Sequence, residues 1–249
     1  MDHLKLSAVA HANHHFSSPV SVEMLDRVLA VSGIARGWRL IDLGCGPATM
    51  ALHLAERYGA TVEAVDRSSV MLDLARTRAK AHAAGDRVSF HQAESMDYLA
   101  IAEPCDLLVA VGAGALVAGA TDNAAQLAAL AKSVRPGGRL LWGESFWKRP
   151  PSDTLRAATG PVAALYAGHT EYVLAGEAAG LTPLYAAVSS DQDWDEYAWR
   201  YSTAVEAYAA DNPDDPAAAA MRQRIAAWRR LYLTEGRETL GFGLYLFGT

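Results

Sequence analysis

The chain has 249 residues, 51% hydrophobic and 20% charged, with a formal net charge of -6, the size and composition of one globular domain with additions. That acidic balance, with Lys and Arg scattered through predicted helices, argues against nucleic acid as the main partner. No apolar run reaches about eighteen residues and the N-terminus lacks a signal-peptide layout, so a cytoplasmic protein without membrane spans is expected.

Residues 1–20 hold His3, His11, His14 and His15 without a clear period, and Val20 to Ser32 reads as an amphipathic helix stopped by Gly33. The first strand is predicted at Arg39 to Asp42. A helix follows from Pro47 to Tyr58, then a second strand from Thr61 to Asp66, and a helix from Ser69 to His82 capped by Ser68. Strands are expected at Arg87–Gln92, Asp106–Val111 and Arg139–Gly143. A helix from Thr121 to Val134 precedes the last of these, which is entered through the turn Arg135-Pro-Gly-Gly138.

After Glu144 the alternation breaks. Lys148-Arg-Pro-Pro151 forces an extended bend, short helices are predicted near Asp153–Ala158 and Glu171–Ala179, and a strand at Thr182–Ser189. Two helices, 193–210 and 216–235, flank the loop Asn212 to Pro216, and Leu240–Phe247 ends the chain as a strand antiparallel to 182–189. Strands alternating with helices imply a parallel α/β sheet with its ligand at the carboxyl ends of the strands, which places Asp42, Asp66, Glu94, Val111 and Glu144 around one crevice.

The most informative stretch is Leu40-Ile-Asp-Leu-Gly-Cys-Gly-Pro-Ala48 followed by Asp66. Gly44 and Gly46 permit a tight turn and close backbone approach, and Asp66 lies 66 − 46 = 20 residues past Gly46, near the distance at which an acid meets a ribose. Thr49 stands where a dinucleotide fingerprint has its third glycine, and Asp42 at the mouth of the turn would repel a pyrophosphate. A nucleoside bearing an ammonium and a sulfonium suits that carboxylate, which points to S-adenosylmethionine. A nicotinamide-dependent oxidoreductase and a non-catalytic, cofactor-binding regulatory protein are the rival readings.

Five segments together resemble the class I S-adenosylmethionine-dependent methyltransferases: Ile41-Asp-Leu-Gly-Cys-Gly46, Ala64-Val-Asp66, Phe90-His-Gln-Ala-Glu94, Cys105-Asp-Leu-Leu-Val109 and Val134-Arg-Pro-Gly-Gly-Arg-Leu140. Gly143-Glu-Ser-Phe-Trp147, the Lys-Arg-Pro-Pro bend and Gly241 to Phe247 resemble a bacterial small-molecule subgroup. The resemblance implies a Rossmann-like, seven-stranded sheet of order 3-2-1-4-5-7-6 with helical cap additions. Residues 1–249 then form one methyltransferase domain: an N-terminal lid and helix (1–34), a cofactor core (35–145), and caps at 146–180 and 190–238.

It further implies that Asp42 and Gly44-Cys45-Gly46 hold the methionine end, Asp66 the ribose, Arg67 and Met71 the adenine flank, and Glu94 and Ser95 the adenine edge, with Val111 at the end of the fourth strand. The acceptor is expected to be a small molecule attacking through N, O or S in an in-line displacement, which needs a base only if the nucleophile arrives protonated. Glu144, His14 and His11 are the candidate catalytic groups, and Phe16, Trp147 and Trp199 the candidate substrate contacts. No Cys/His spacing suggests a metal, and Cys45 and Cys105 suit a reducing compartment.

Overall fold

The computed structural model describes residues 3–113, 116 and 122–249. Its seven strands are β1 (Arg39–Leu43), β2 (Thr61–Asp66), β3 (Val88–Gln92), β4 (Cys105–Val111), β5 (Val134–Trp147), β6 (Thr182–Val188) and β7 (Leu240–Gly248), in the order β3-β2-β1-β4-β5-β7-β6. The first five run parallel, and β7 slots antiparallel between β5 and β6. This is the expected sheet order. It makes β1 and β4 the neighbours at which the winding reverses, so a crevice opens at their carboxyl ends.

Side-chain alternation sends the two faces of the sheet into separate cores. Leu40, Val62, Ala64, Leu107, Val109 and Leu141 pack with helices α2 (Val22–Leu29), α3 (Thr49–Tyr58) and α4 (Ser69–Lys80). Ile41, Leu43, Val65, Leu108, Leu140 and Trp142 pack against the other layer, which includes α5 (Ser95–Leu99), α6 (Asn123–Ala131) and α8 (His169–Ala178). Removing a fully enclosed side chain such as Leu107→Ala is expected to cost about 2–5 kcal/mol.

Three boundaries differ from the sequence expectation for physical reasons. β5 begins at Val134, where a helix had been expected to continue, because Val134 pairs with Cys105. Register then jumps to Leu107↔Arg139, so Pro136 to Gly138 form a bulge within the strand rather than a turn before it. At its other end β5 runs on to Trp147, because β7 offers a partner as far as Leu240.

The N-terminus is the third difference. Residues His3–Ala10 form a helix, α1, and its Leu6 and Ala10, four apart on one face, enter a small core with Val205, Met221 and Ile225. Those partners lie on α9 (Asp191–Asp211) and α10 (Pro216–Leu231), the pair inserted before β7. Helix α7 (Asp153–Thr159) and a 3-10 turn (Pro161–Leu165) bridge β5 to α8, and a π-turn (Tyr232–Gly236) and a short α11 (Arg237–Thr239) lead into β7. Among the described residues no helix is long and apolar enough to cross a membrane.

Candidate active site

Where β1 ends, Gly44 (φ +65°) and Gly46 (φ +52°) take left-handed conformations that favour glycine. A Cβ on Gly44 would fall 2.7 Å from that of Ala113, whereas nothing lies within 4 Å of the equivalent position on Gly46. The turn therefore packs against the β4 loop on one side and is open on the other. Asp66 fixes its shape: Oδ2 accepts from the Gly46 N–H at 2.9 Å and Oδ1 from the Ser68 N–H at 2.8 Å. Ser68 in turn caps α4 by accepting from the Met71 N–H at 3.3 Å. Each Asp66 oxygen retains a lone pair for further donors, such as a ribose diol.

A cavity of about 650 Å³ opens above this turn. One end is lined by Gly44, Gly46, Asp66, Arg67, Met71, Glu94 and Ser95, so the structure brings together seven of the residues expected around a cofactor. Arg67 and Glu94 face each other across its rim at 4.0 Å, both exposed. The other end is lined by Ser7, His11 and Ser17 from the N-terminal segment, Ala113 and Leu116 after β4, and Pro161, Val162 and Leu165 of the 3-10 turn.

Asp42 does not line the cavity but lies buried next to the turn, 3% exposed, and its Oδ2 has no hydrogen-bond partner among the described residues. Burial first, and then the charge of Asp66, push its carboxyl up to about 7. A buried carboxylate without a partner favours a cation nearby, and it opposes a dinucleotide pyrophosphate for the same reason. The orphaned oxygen beside an open glycine turn thus fits a ligand carrying an ammonium and a sulfonium.

Two further residues expected at the cofactor do not face the cavity. Cys45 uses its backbone N–H to bond Val65 O at 3.0 Å, and its thiol points to Gly46 O at 3.6 Å. Burial, then Asp42 and Asp66, drive that thiol far above its ordinary range. Val111 packs on the core, and Gly112 and Ala113 form the wall instead.

Glu144 had been expected to line the crevice, and strand alternation explains why it does not. It shares a side of β5 with Leu140, Trp142 and Phe146 and therefore faces the core opposite Asp42. There it is 7% exposed, accepts from the Ser145 N–H at 2.8 Å, and its charge helps raise Tyr166, Tyr172 and Tyr245 after burial.

Of the candidate histidines, His11 alone lines the cavity. Its Nδ1 lies 2.9 Å from the Ser7 carbonyl, which can only accept, so Nδ1 carries the proton and Nε2 accepts from Tyr197 Oη at 3.0 Å. Burial pushes His11 down to about 4, partly offset by the Ser7 bond, so the ring is neutral. His14 sits behind it. Its Nε2 donates to Tyr197 O at 2.9 Å, and its side chain and that of Phe16 border a separate cleft of about 170 Å³.

The three expected substrate contacts also lie elsewhere. Phe16 is 3% exposed and packs edge-on to His15 and His53, Trp147 borders another groove, and Trp199 is 48% exposed on α9. The residues that do form this end, Ser7, Ser17, Pro161, Val162 and Leu165, had no motif to announce them. Only Ser7 and His11, four apart, carried a helical signal, and it was hidden by the histidine-rich composition. No group of three or more His, Cys, Asp or Glu among the described residues is placed to hold a metal.

A family model described as a methyltransferase domain matches residues 40–138. The uncharacterized protein YjhP of Escherichia coli is 28% identical over 98% of both chains, and its crystal structure superposes with a TM-score of 0.85 at 26% identity, again covering 98% of each. A methyltransferase from Thiobacillus denitrificans, solved with S-adenosylhomocysteine, gives a TM-score of 0.86 at 25% identity over 99% of each chain. Trans-aconitate 2-methyltransferase of Azoarcus is 35% identical over 131 residues, 52% of this chain and 48% of that one. The matched methyltransferase domain, the sheet order, the open glycine turn and the unpaired Asp42 oxygen all agree, and together they support a fold and cofactor site of the class I S-adenosylmethionine-dependent methyltransferase kind.

Proposed function

We propose that the enzyme methylates an N, O or S atom of a small, uncharged acceptor. One observation carries this reading: the charged side chains lining the cavity, Asp66, Arg67 and Glu94, are gathered at the cofactor end, and the opposite end offers two serines, a neutral His11 and apolar walls. An acceptor bearing a fixed charge would meet no counter-charge among those described residues. The volume, about 650 Å³, falls within the roughly 300–1,000 Å³ of small-molecule sites, and the net charge of -6 supports a small metabolite over nucleic acid.

When bound, S-adenosylmethionine supplies a methyl group already activated by positive sulfur. The chain's own work is then binding, alignment and exclusion of water. In this reading Asp66 and the Gly44–Gly46 backbone, with Arg67, Met71, Glu94 and Ser95, seat the cofactor, and Asp42 balances its positive charge from below. His11 presents a lone pair at Nε2 when Tyr197 yields it, and so holds an acceptor N–H, O–H or S–H in place. Its low basicity suits holding a proton better than removing one. His14, which bonds the Tyr197 carbonyl, acts as a positioning residue, and Glu144 has a structural role. The two cysteines, both free, accord with work in the cytoplasm.

The test is a mass-spectrometric screen for S-adenosylhomocysteine release over matched neutral, anionic and cationic thiols, amines and phenols. Turnover confined to neutral members is expected. Turnover confined to charged members would overturn the acceptor assignment while leaving the methyl donor intact.

A further inference from the structure

The same segment that walls the acceptor end also borders a second cavity. Pro161, Val162 and Leu165 face the crevice, whereas Tyr166, Ala167 and Gly168 line a separate groove of about 660 Å³, closed on its other side by Phe146 to Pro151 and by Arg156 of α7. This is where the Lys-Arg-Pro-Pro bend lies, a feature that methyl transfer does not use.

The charge of the groove runs against that of the chain. Lys148, Arg149 and Arg156 line it with a single carboxylate, Glu171, on a protein of net charge -6. Lys148 is partly engaged, 3.4 Å from Asp191 and 3.2 Å from the Arg237 carbonyl, and Arg149 Nε donates to Thr239 Oγ1 at 3.2 Å. The exposed Arg156 guanidinium has neither an ion pair nor a hydrogen bond among the described residues. Glu171 folds over Gly168 at the start of α8, so its charge is spent on that helix end rather than on the arginines.

A second, independent feature is aromatic. Trp147 lines the groove with part of its ring and packs on the core with the rest. Its ring leans on Tyr166, centroids 5.4 Å apart, which with Phe146 gives the groove an aromatic wall. An unpaired guanidinium beside an aromatic surface describes the complement of one ligand chemistry.

We propose that this groove is a second binding site, for a small aromatic anion whose ring lies on Trp147 and Tyr166 and whose carboxylate or phosphate meets Arg156 and Arg149. The site is independent of the methyl-transfer reading. Calorimetric titration of the full-length protein, saturated with S-adenosylhomocysteine so that the crevice is filled, tests it with phenyl phosphate, benzoate and inorganic phosphate.

One equivalent of phenyl phosphate or benzoate is expected to bind, and the tighter of the two identifies the acid group. Arg156→Ala should weaken that binding about tenfold or more. Trp147→Ala, which removes the ring surface, should weaken it severalfold, and Asp66→Ala should leave it unchanged when cofactor is omitted. Binding of neither aromatic probe at millimolar concentration would overturn the proposal. So would inorganic phosphate binding as tightly as phenyl phosphate, which would reveal surface charge only, or an unchanged affinity in Arg156→Ala.

Discussion

The two ends of the main crevice are built by different means. The cofactor end comes from turns at the carboxyl ends of adjacent parallel strands, where backbone conformation and one carboxylate set the geometry: Gly44 and Gly46 turn left-handed, and Asp66 ties Gly46 to Ser68 through two hydrogen bonds. The acceptor end is assembled from three stretches separated by about 45 to 100 residues, Ser7 to Ser17, Ala113 with Leu116, and Pro161 to Leu165, held by packing on α9 and on the sheet. The first kind of site tolerates little variation because its parts share one ladder of strands. The second can change specificity by repacking a helix or a turn without touching the donor site.

The sharpest way to break this contrast is Asp66→Ala. The substitution removes the acceptor of both the Gly46 and Ser68 N–H groups as well as any bond to the ligand. Losing charge-assisted bonds of this sort costs about 1.5–3 kcal/mol, or roughly ten- to a hundredfold in affinity, and calorimetry with S-adenosylhomocysteine reads it directly. An unchanged affinity would mean that the glycine turn, and not the carboxylate, does the holding.

Asp42 provides the next largest effect, with a distinctive sign. Its carboxyl holds a proton more tightly in the folded protein, at about 7, than at its ordinary 3.8. The contribution of this group to stability is therefore fullest below about 4 and is lost as pH rises toward 7. A cationic ligand requires the ionised form, so binding below pH 7 should expel a proton. Affinity should climb with pH by at most about tenfold per unit and level off above about 7. Asp42→Asn is expected to abolish that slope, to raise the melting temperature of the ligand-free protein at pH 8, and to weaken cofactor binding there. Calorimetry in buffers of differing ionisation enthalpy measures the released proton.

At the acceptor end, His11→Ala should lower turnover roughly tenfold, the order of one lost hydrogen bond, with cofactor affinity nearly unchanged. Equal losses in both would erase the distinction between the two ends. Its pH signature is opposite to that of Asp42. A base whose folded value is depressed to about 4 from 6.5 contributes stability that is full above 6.5 and lost as pH falls through that interval. Amide exchange in α1, corrected for intrinsic rate, should therefore quicken between pH 7 and pH 5, because His11 and Tyr197 link this helix to α9.

How much of this was legible in the sequence follows the same division. The alternation of strands and helices, the glycine turn and Asp66 could be read from local spacing, whereas the strand order and the Arg67, Met71, Glu94 and Ser95 positions came from the family resemblance, and the cavity draws those four side chains together. Glu144 could not, because its side of β5 depends on a register set by the bulge at Pro136–Gly138 and by pairing with β7. Trp147 and Trp199 are expected at the substrate from their place in the cap segments and Phe16 from its place in an N-terminal lid, yet aromatic residues face wherever a cap packs. The helix α1 was missed because Leu6 and Ala10 bury against residues some two hundred positions away, a partner that no window of sequence contains.

The smallest expected effect tests how far the motif itself should be trusted. Cys45 lies between the two glycines, and a reading by motif assigns it to the cofactor along with them. Its N–H, however, is committed to Val65, and its thiol is held neutral by burial and two neighbouring carboxylates. Cys45→Ala keeps the backbone bond and should change cofactor affinity less than about twofold and stability by no more than about 1 kcal/mol. Iodoacetamide should leave the native thiol unmodified, since the reactive thiolate is disfavoured there. Rapid alkylation blocked by S-adenosylhomocysteine would instead place that side chain in the site, and the turn would then bind through its side chains as well as its backbone.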